Sequence, residues 1–122
     1  MAASKGETAA MEVTSLATAE PFTTKDGSTI RELHHTEEQS LAEARLEPGQ
    51  ATERHYHART EEIYFLVDGE GRMEIDGDTR AVAPGDAILI PAGARHQIRA
   101  ETPLRFLCCC APPYSHDDTY FD

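Results

Sequence analysis

The stretch ERHYHARTEEIYFLVDG, residues 53–69, sets two histidines one residue apart, then two glutamates and a β-rich apolar run that closes on Asp-Gly. On a strand, successive side chains alternate faces, so His55 and His57 point the same way, about 6.6 Å apart along the backbone. Tyr56 then points to the other side. This separation lets two imidazoles lean onto one ion. His57 and Glu62 are five residues apart, an odd number, so an unbroken strand would send them to opposite faces. The spacing predicts a bend, and the polar ARTE, residues 58–61, is where the chain can make it. Beyond the bend, Glu62, Tyr64 and Leu66 share one face.

Downstream the pattern continues in short units. DGEG is a turn, RMEI an alternating strand, DGD a second turn and TRAV another strand. APGD turns into AILI, PAGA leads to RHQIRA, and after ETP comes LRFLCCC. Many short strands separated by Asp-Gly and Pro-Gly turns predict an all-β, antiparallel fold that closes as a barrel or sandwich. Upstream, residues 1–19 show little periodicity and read as a mobile tail. Asp26-Gly27 is a turn, followed by a short strand around residues 28–33, with HHTEEQ as a loop. SLAEARLEPGQ fits a short helix by propensity and a strand by alternation; the β-rich context favours the strand. The folded unit is then one domain over residues 20–122.

Composition narrows the partners. The chain has 122 residues and a formal charge of −11, from 22 acidic against 11 basic side chains. Such a balance argues against nucleic acid and anionic membrane, both of which need a basic face. No apolar run approaches the roughly 20 residues of a membrane span. The N-terminus lacks a signal-peptide core, so the expectation is a cytoplasmic protein. Cys108, Cys109 and Cys110 are adjacent and odd in number, which is no disulfide framework. They read as packing residues in a reducing compartment.

Two motifs now stand in order. Gly49, five residues, His55-x-His57, four residues, Glu62, six residues and Gly69 form the first. Gly85, five residues, Pro91-x-Gly93, two residues and His96 form the second. Together, over residues 40–111, they resemble the cupin family. The six-residue step from Glu62 lands on Gly69, whereas the same step from Glu61 lands on Asp68, so Glu62 is chosen as the glutamate of the motif, with Glu61 as the fallback. The resemblance implies an antiparallel jelly-roll barrel in which His55, His57, Glu62 and His96 hold one divalent transition metal ion. Three imidazoles and a carboxylate suit Fe, Mn, Ni, Co, Cu or Zn. One departure is that Ala100 stands where the second motif usually ends in Asn.

The function implied is metal-dependent chemistry on a small-molecule substrate. A dioxygenase is the first expectation. The alternatives are a redox-neutral isomerase, epimerase or lyase, and a module that binds a small molecule without turnover. Tyr64, on the face of Glu62, is the candidate catalytic residue; a phenol there donates to substrate, or acts as acid or base once its pKa is lowered, and the alternative is a core tyrosine with a satisfied hydroxyl. Phe106, Cys108 and Cys110 share a strand face and, with Met73 and Ile75, read as cavity lining. His34-His35 and YSHDDTYF, residues 114–121, read as solvated loops or dimer contacts. A homodimer is expected, with Phe22, Ile30 and Leu33 helping to bury a sheet edge.

Overall fold

The alternation of apolar and polar residues becomes eleven short strands in the computed structural model, which describes residues 9–122. They are β1 (Phe22–Thr23), β2 (Thr29–His35), β3 (Ser40–Leu46), β4 (Tyr56–His57), β5 (Glu61–Asp68) and β6 (Gly71–Ile75). They continue with β7 (Asp78–Val82), β8 (Ala87–Ile90), β9 (His96–Ala100), β10 (Leu104–Ala111) and β11 (Thr119–Tyr120). A 3₁₀ turn, His116–Asp118, precedes β11. All pairings are antiparallel. The six-stranded sheet runs β1-β2-β3-β10-β5-β8, the three-stranded sheet β7-β6-β9, and β4 pairs with β11. This is the jelly-roll arrangement expected of the sequence. The expected tail falls partly outside the described residues; residues 9–19 carry a turn at 16–18 and no strand. No helix among the described residues is long and apolar enough to cross a membrane.

The core forms where the inward faces meet. β5 alternates strictly, with Glu62, Tyr64 and Leu66 buried and Glu61, Ile63 and Phe65 exposed. On β9, His96, Ile98 and Ala100 turn inward while Arg99 faces out. Ala42, Ala44 and Leu46 of β3, Met73 of β6 and Phe106 of β10 complete the packing. Burying a large aliphatic side chain contributes about 1.5–3 kcal/mol, so this apolar layer supplies most of the stability that the polar site must draw on.

Three expectations need correction. β2 runs through His35 rather than stopping near residue 33, because a register shift between Glu32 and His34 lets pairing to Leu41 and Ser40 continue. Ile30 is buried in the protein's own core and is not available to cover a sheet edge. Residues 114–121 are not a solvated loop: Asp118 and Thr119 are buried, and Thr119–Tyr120 pairs with β4.

Glu43 departs from the alternation of β3. It is fully buried on the outer side, where Arg45 donates to it at 2.9 Å and Arg105 at 3.0 Å. Burial pushes its carboxyl up, and the two guanidinium groups more than offset this and hold it below the usual range. Arg45 is exposed and caps a buried charge.

Two glycines show why the turns are where they are. Gly69 and Gly77 both have positive φ, +85° and +91°, which costs a side-chain residue about 1–2 kcal/mol. A Cβ on Gly69 would also run into the carbonyl of Pro103, whereas one on Gly77 meets open space. Gly69→Ala is therefore expected to lower the unfolding free energy by about 2–4 kcal/mol and Gly77→Ala by about 1 kcal/mol, read from the midpoints of urea unfolding.

Candidate metal centre

Backbone pairing brings the motif histidines together. His55 and His96 form an isolated antiparallel bridge and exchange both main-chain hydrogen bonds, at 3.1 and 2.8 Å. Their rings lie 4.2 Å apart between centroids, and the His57 ring lies 5.0 Å from His55 and 5.6 Å from His96. The three side chains are buried, and each offers one ring nitrogen within 4.8 Å of the other two.

The predicted bend between His57 and Glu62 is present, and a distant residue holds it. Asp118 Oδ1 accepts the Ala58 N–H at 3.1 Å; Oδ2 accepts the N–H groups of Arg59 at 3.1 Å and Thr60 at 3.3 Å. A buried carboxylate on three amide donors fixes a turn that no local residue pattern specifies. The Gly93 N–H, on the loop that delivers His96, bonds to the His57 carbonyl at 2.7 Å.

Each imidazole is oriented from behind. Nδ1 of His55 bonds to the Glu53 carbonyl at 2.7 Å, Nδ1 of His57 to the Asp118 carbonyl at 3.1 Å, and Nδ1 of His96 to the Ala94 carbonyl at 3.0 Å. A carbonyl oxygen only accepts, so each Nδ1 carries the hydrogen and donates it. In the neutral rings the Nε2 lone pairs are then free for an ion.

Glu62 stands beside two of them. Its Oε1 lies 3.5 Å from Nε2 of His57 and 3.5 Å from Nε2 of His96, while its Oε2 accepts from the Cys110 thiol at 3.3 Å. Glu61, one residue earlier, is exposed. Burial pushes the Glu62 carboxyl up, but His57 and His96 more than offset this and hold it well below the usual range. Burial likewise pushes His57 down, and the Glu62 carboxylate more than offsets that and raises it. His55 is lowered, first by burial and then by His96. Among the described residues, Glu62 Oε1 and His96 Nε2 are buried atoms without a hydrogen-bond partner. An unpartnered buried polar atom is costly, and a cation between these atoms would satisfy both. The donor set thus fits a divalent ion.

Comparison with known proteins agrees with this geometry. Residues 42–110 match the cupin domain family. An uncharacterized protein of Methanocaldococcus jannaschii is 46% identical over 106 residues, covering 81% of this chain and 85% of its own length. The chain belongs to the cupin family. The L-ectoine synthase of Rhodococcus opacus is 32% identical over 85 residues, 65% of this chain; the match spans 64% of that relative's length. Among solved structures, KdgF from Halomonas sp. superposes with a TM-score of 0.78 at 21% identity, covering 87% of this chain and 98% of that one, which is a likeness of fold.

Beside His57 and Glu62 this cupin has a small cavity of about 30 Å³, lined also by Asp26, Tyr64, Cys108 and Cys110 among others and by neither His55 nor His96. That is room for a water or two. A larger cavity of about 420 Å³ lies at β6, β7 and β8, lined by Met73 and Ile75 and by none of the motif histidines. Tyr64 is buried, its ring 6.0 Å from His96 and 4.7 Å from Phe106. Burial raises its phenol well above the ordinary value, opposite to the lowered pKa expected for a base. Burial also pushes the Cys108 and Cys110 thiols up, so both stay protonated; Cys109 is exposed.

Two residues at the site have no counterpart in the sequence reading. Asp118 lies in a segment read there as solvated, and Asp26 in a stretch read only as a turn. Both act across the fold, Asp118 58–60 residues from the amides it holds. Asp118→Ala is expected to destabilise the protein by about 2–4 kcal/mol, because it leaves buried donors unpaired. Its exposed neighbour supplies the control: Asp117→Ala should stay within about 0.5 kcal/mol on the same urea titration.

Proposed function

We propose that this cupin is a metal-dependent enzyme in which His55, His57, His96 and Glu62 hold one divalent transition metal ion and a small oxygen-bearing molecule is the substrate. The observation that carries this reading is that Nε2 of His57 and Nε2 of His96 each lie 3.5 Å from the buried, unpartnered Oε1 of Glu62, with His55 completing the histidine cluster. A bound ion supplies a Lewis acid that polarises a substrate oxygen.

The chain's own groups favour redox-neutral chemistry of elimination or isomerisation type. Tyr64 borders the same cavity as Glu62, and burial keeps its phenol protonated. It is therefore a proton donor to a substrate oxygen rather than a base. Cys110 holds the second oxygen of Glu62 and so presents the first toward the histidines. The apolar packing of Phe106 against Tyr64 limits where the phenol can point. Similarity to a relative named for making L-ectoine supports a small organic molecule as substrate. A dioxygenase is the second reading, favoured by the histidine-rich donor set, which also suits Fe(II).

The test is metal content by mass spectrometry on gently purified protein, followed by turnover of small hydroxy acids and sugars without oxygen. About one divalent ion per chain in the native protein, and its loss in His57→Ala, is the expected result. Tyr64→Phe should keep the metal and lower kcat by about 10²–10⁴-fold. Turnover that requires oxygen would move the assignment to the dioxygenase. A protein that takes up none of the six candidate ions would contradict the metal reading.

A further inference from the structure

The two sheets differ on their outer faces. An antiparallel sheet with one face on the core ordinarily turns polar side chains to water. The three-stranded sheet does so: opposite the buried Met73 and Ile98, its outer side carries Arg72 beside Arg99, and Glu74 between Gln97 and Thr79. The six-stranded sheet does not. Across four adjacent strands, Leu41 of β3 pairs with Cys109 of β10, Cys109 with Ile63 of β5, and Ile63 with Leu89 of β8. Two residues along, Leu107 pairs with Phe65 and Phe65 with Ala87, and Glu43 ends that row on β3. Ile63, Phe65 and Leu89 are 40, 41 and 55% exposed. Cys109 and Ala87 are exposed beside them, and Leu41 and Leu107 are half-buried.

These residues form one contiguous apolar surface. Monomers seldom leave more than a few hundred Å² of such surface in water. Four strands about 4.8 Å apart, over about seven residues of about 3.3 Å each, make a face of roughly 20 by 23 Å. With side-chain relief this approaches the roughly 800 Å² that a stable interface takes from each partner.

Charges at the two ends of the face say what fits it. Arg31, Arg45 and Arg105 stand at one end, around the buried Glu43, with Asp68 beside Arg105. The Arg45 side chain stays 49% exposed, so its guanidinium has donors to spare. At the other end of β3 and β5 lie the exposed Glu37, Glu38 and Glu61, against Arg59. A second copy turned end for end sets the basic end over the acidic one, whereas a copy running the same way sets like over like. The two-fold axis that achieves this lies in the plane of the sheet, across the strands and between the two apolar rows. Ile63 of each copy then packs over Phe65 of the other, in the aligned geometry of stacked sheets.

We propose that the outer face of β3, β10, β5 and β8 is the contact between two copies of this chain, stacked sheet on sheet with their strands antiparallel. The edge strand β1, which carries Phe22, is not the contact. β5 serves both sides: Glu62 faces the histidines inward while Ile63 and Phe65 face the second copy. Pairing therefore braces the strand that presents the carboxylate.

Sedimentation equilibrium of the full chain tests this, over about 1 to 100 µM. It is joined by N-ethylmaleimide labelling of Cys109, read by peptide mass spectrometry. The wild type is expected at twice the chain mass. Ile63→Glu and Leu89→Glu each put a charge into the apolar rows and should give the single-chain mass, with circular dichroism verifying the fold. Leu89, on the edge strand β8, keeps the test open where Ile63→Glu fails to fold. Cys109 should label about tenfold or more faster in these variants than in the wild-type pair. Phe22→Ser should leave the pair intact. A wild type at single-chain mass throughout overturns the proposal, and that result needs no variant. So does a pair that persists in both glutamate variants, a pair that Phe22→Ser dissolves, or a pair whose Cys109 labels as fast as in the monomeric variants.

Discussion

Three hydrogen bonds from imidazole Nδ1 atoms to main-chain carbonyls determine what this barrel can bind. They set the tautomer of His55, His57 and His96, and with it the nitrogen each ring offers. The carbonyls belong to Glu53, Asp118 and Ala94, which lie on three different connections. Each connection is itself anchored: Glu53 by the Asp26 carbonyl, Ala94 by the turn from Pro91, and Asp118 by its grip on the 58–60 bend. Ligand geometry is therefore a property of loop backbones braced on a rigid sheet. A ligand displaced by even 1 Å loses most of its value, so this bracing is where the fold serves the chemistry.

The site works against stability, and the apolar layer compensates. Glu62 and three imidazoles occupy inward positions that would otherwise carry aliphatic groups, and two of their atoms have no hydrogen-bond partner among the described residues. The sheet tolerates this because Leu46, Leu66, Ile90, Ile98, Leu104 and Phe106 are buried nearby. An ion held there would turn this local cost into a gain and would link folding to metal affinity.

Much of this was legible in the sequence, for local reasons. Alternation along EIYFLV placed Glu62, Tyr64 and Leu66 on one face, and the structure buries those three together. The odd spacing from His57 to Glu62 required a bend, and Asp-Gly and Pro-Gly steps marked turns at which Gly69, Gly77 and Gly85 take positive φ. What remained hidden depends on distant partners. Asp118 reads as one acid of an Asp pair until the fold sets it against amides about 60 residues earlier. Asp26 reads as half of a turn until β2 and the 53–57 segment bring it to His55. The burial of Glu43 depends on Arg105, which reaches it from a neighbouring strand 62 residues away in sequence. None of these contacts leaves a period or a motif. The direction of the Tyr64 pKa was missed for a related reason, because burial and the nearby Glu62 carboxylate both raise it.

The most direct test of this account is anomalous diffraction from a crystal of the metal-loaded protein, recorded at the absorption edge of the ion. The account places a single anomalous peak about 2.0–2.2 Å from Nε2 of His55, His57 and His96, with each Nδ1 still bonded to its carbonyl. A peak elsewhere, coordination through Nδ1, or no peak from protein soaked in excess ion would contradict it.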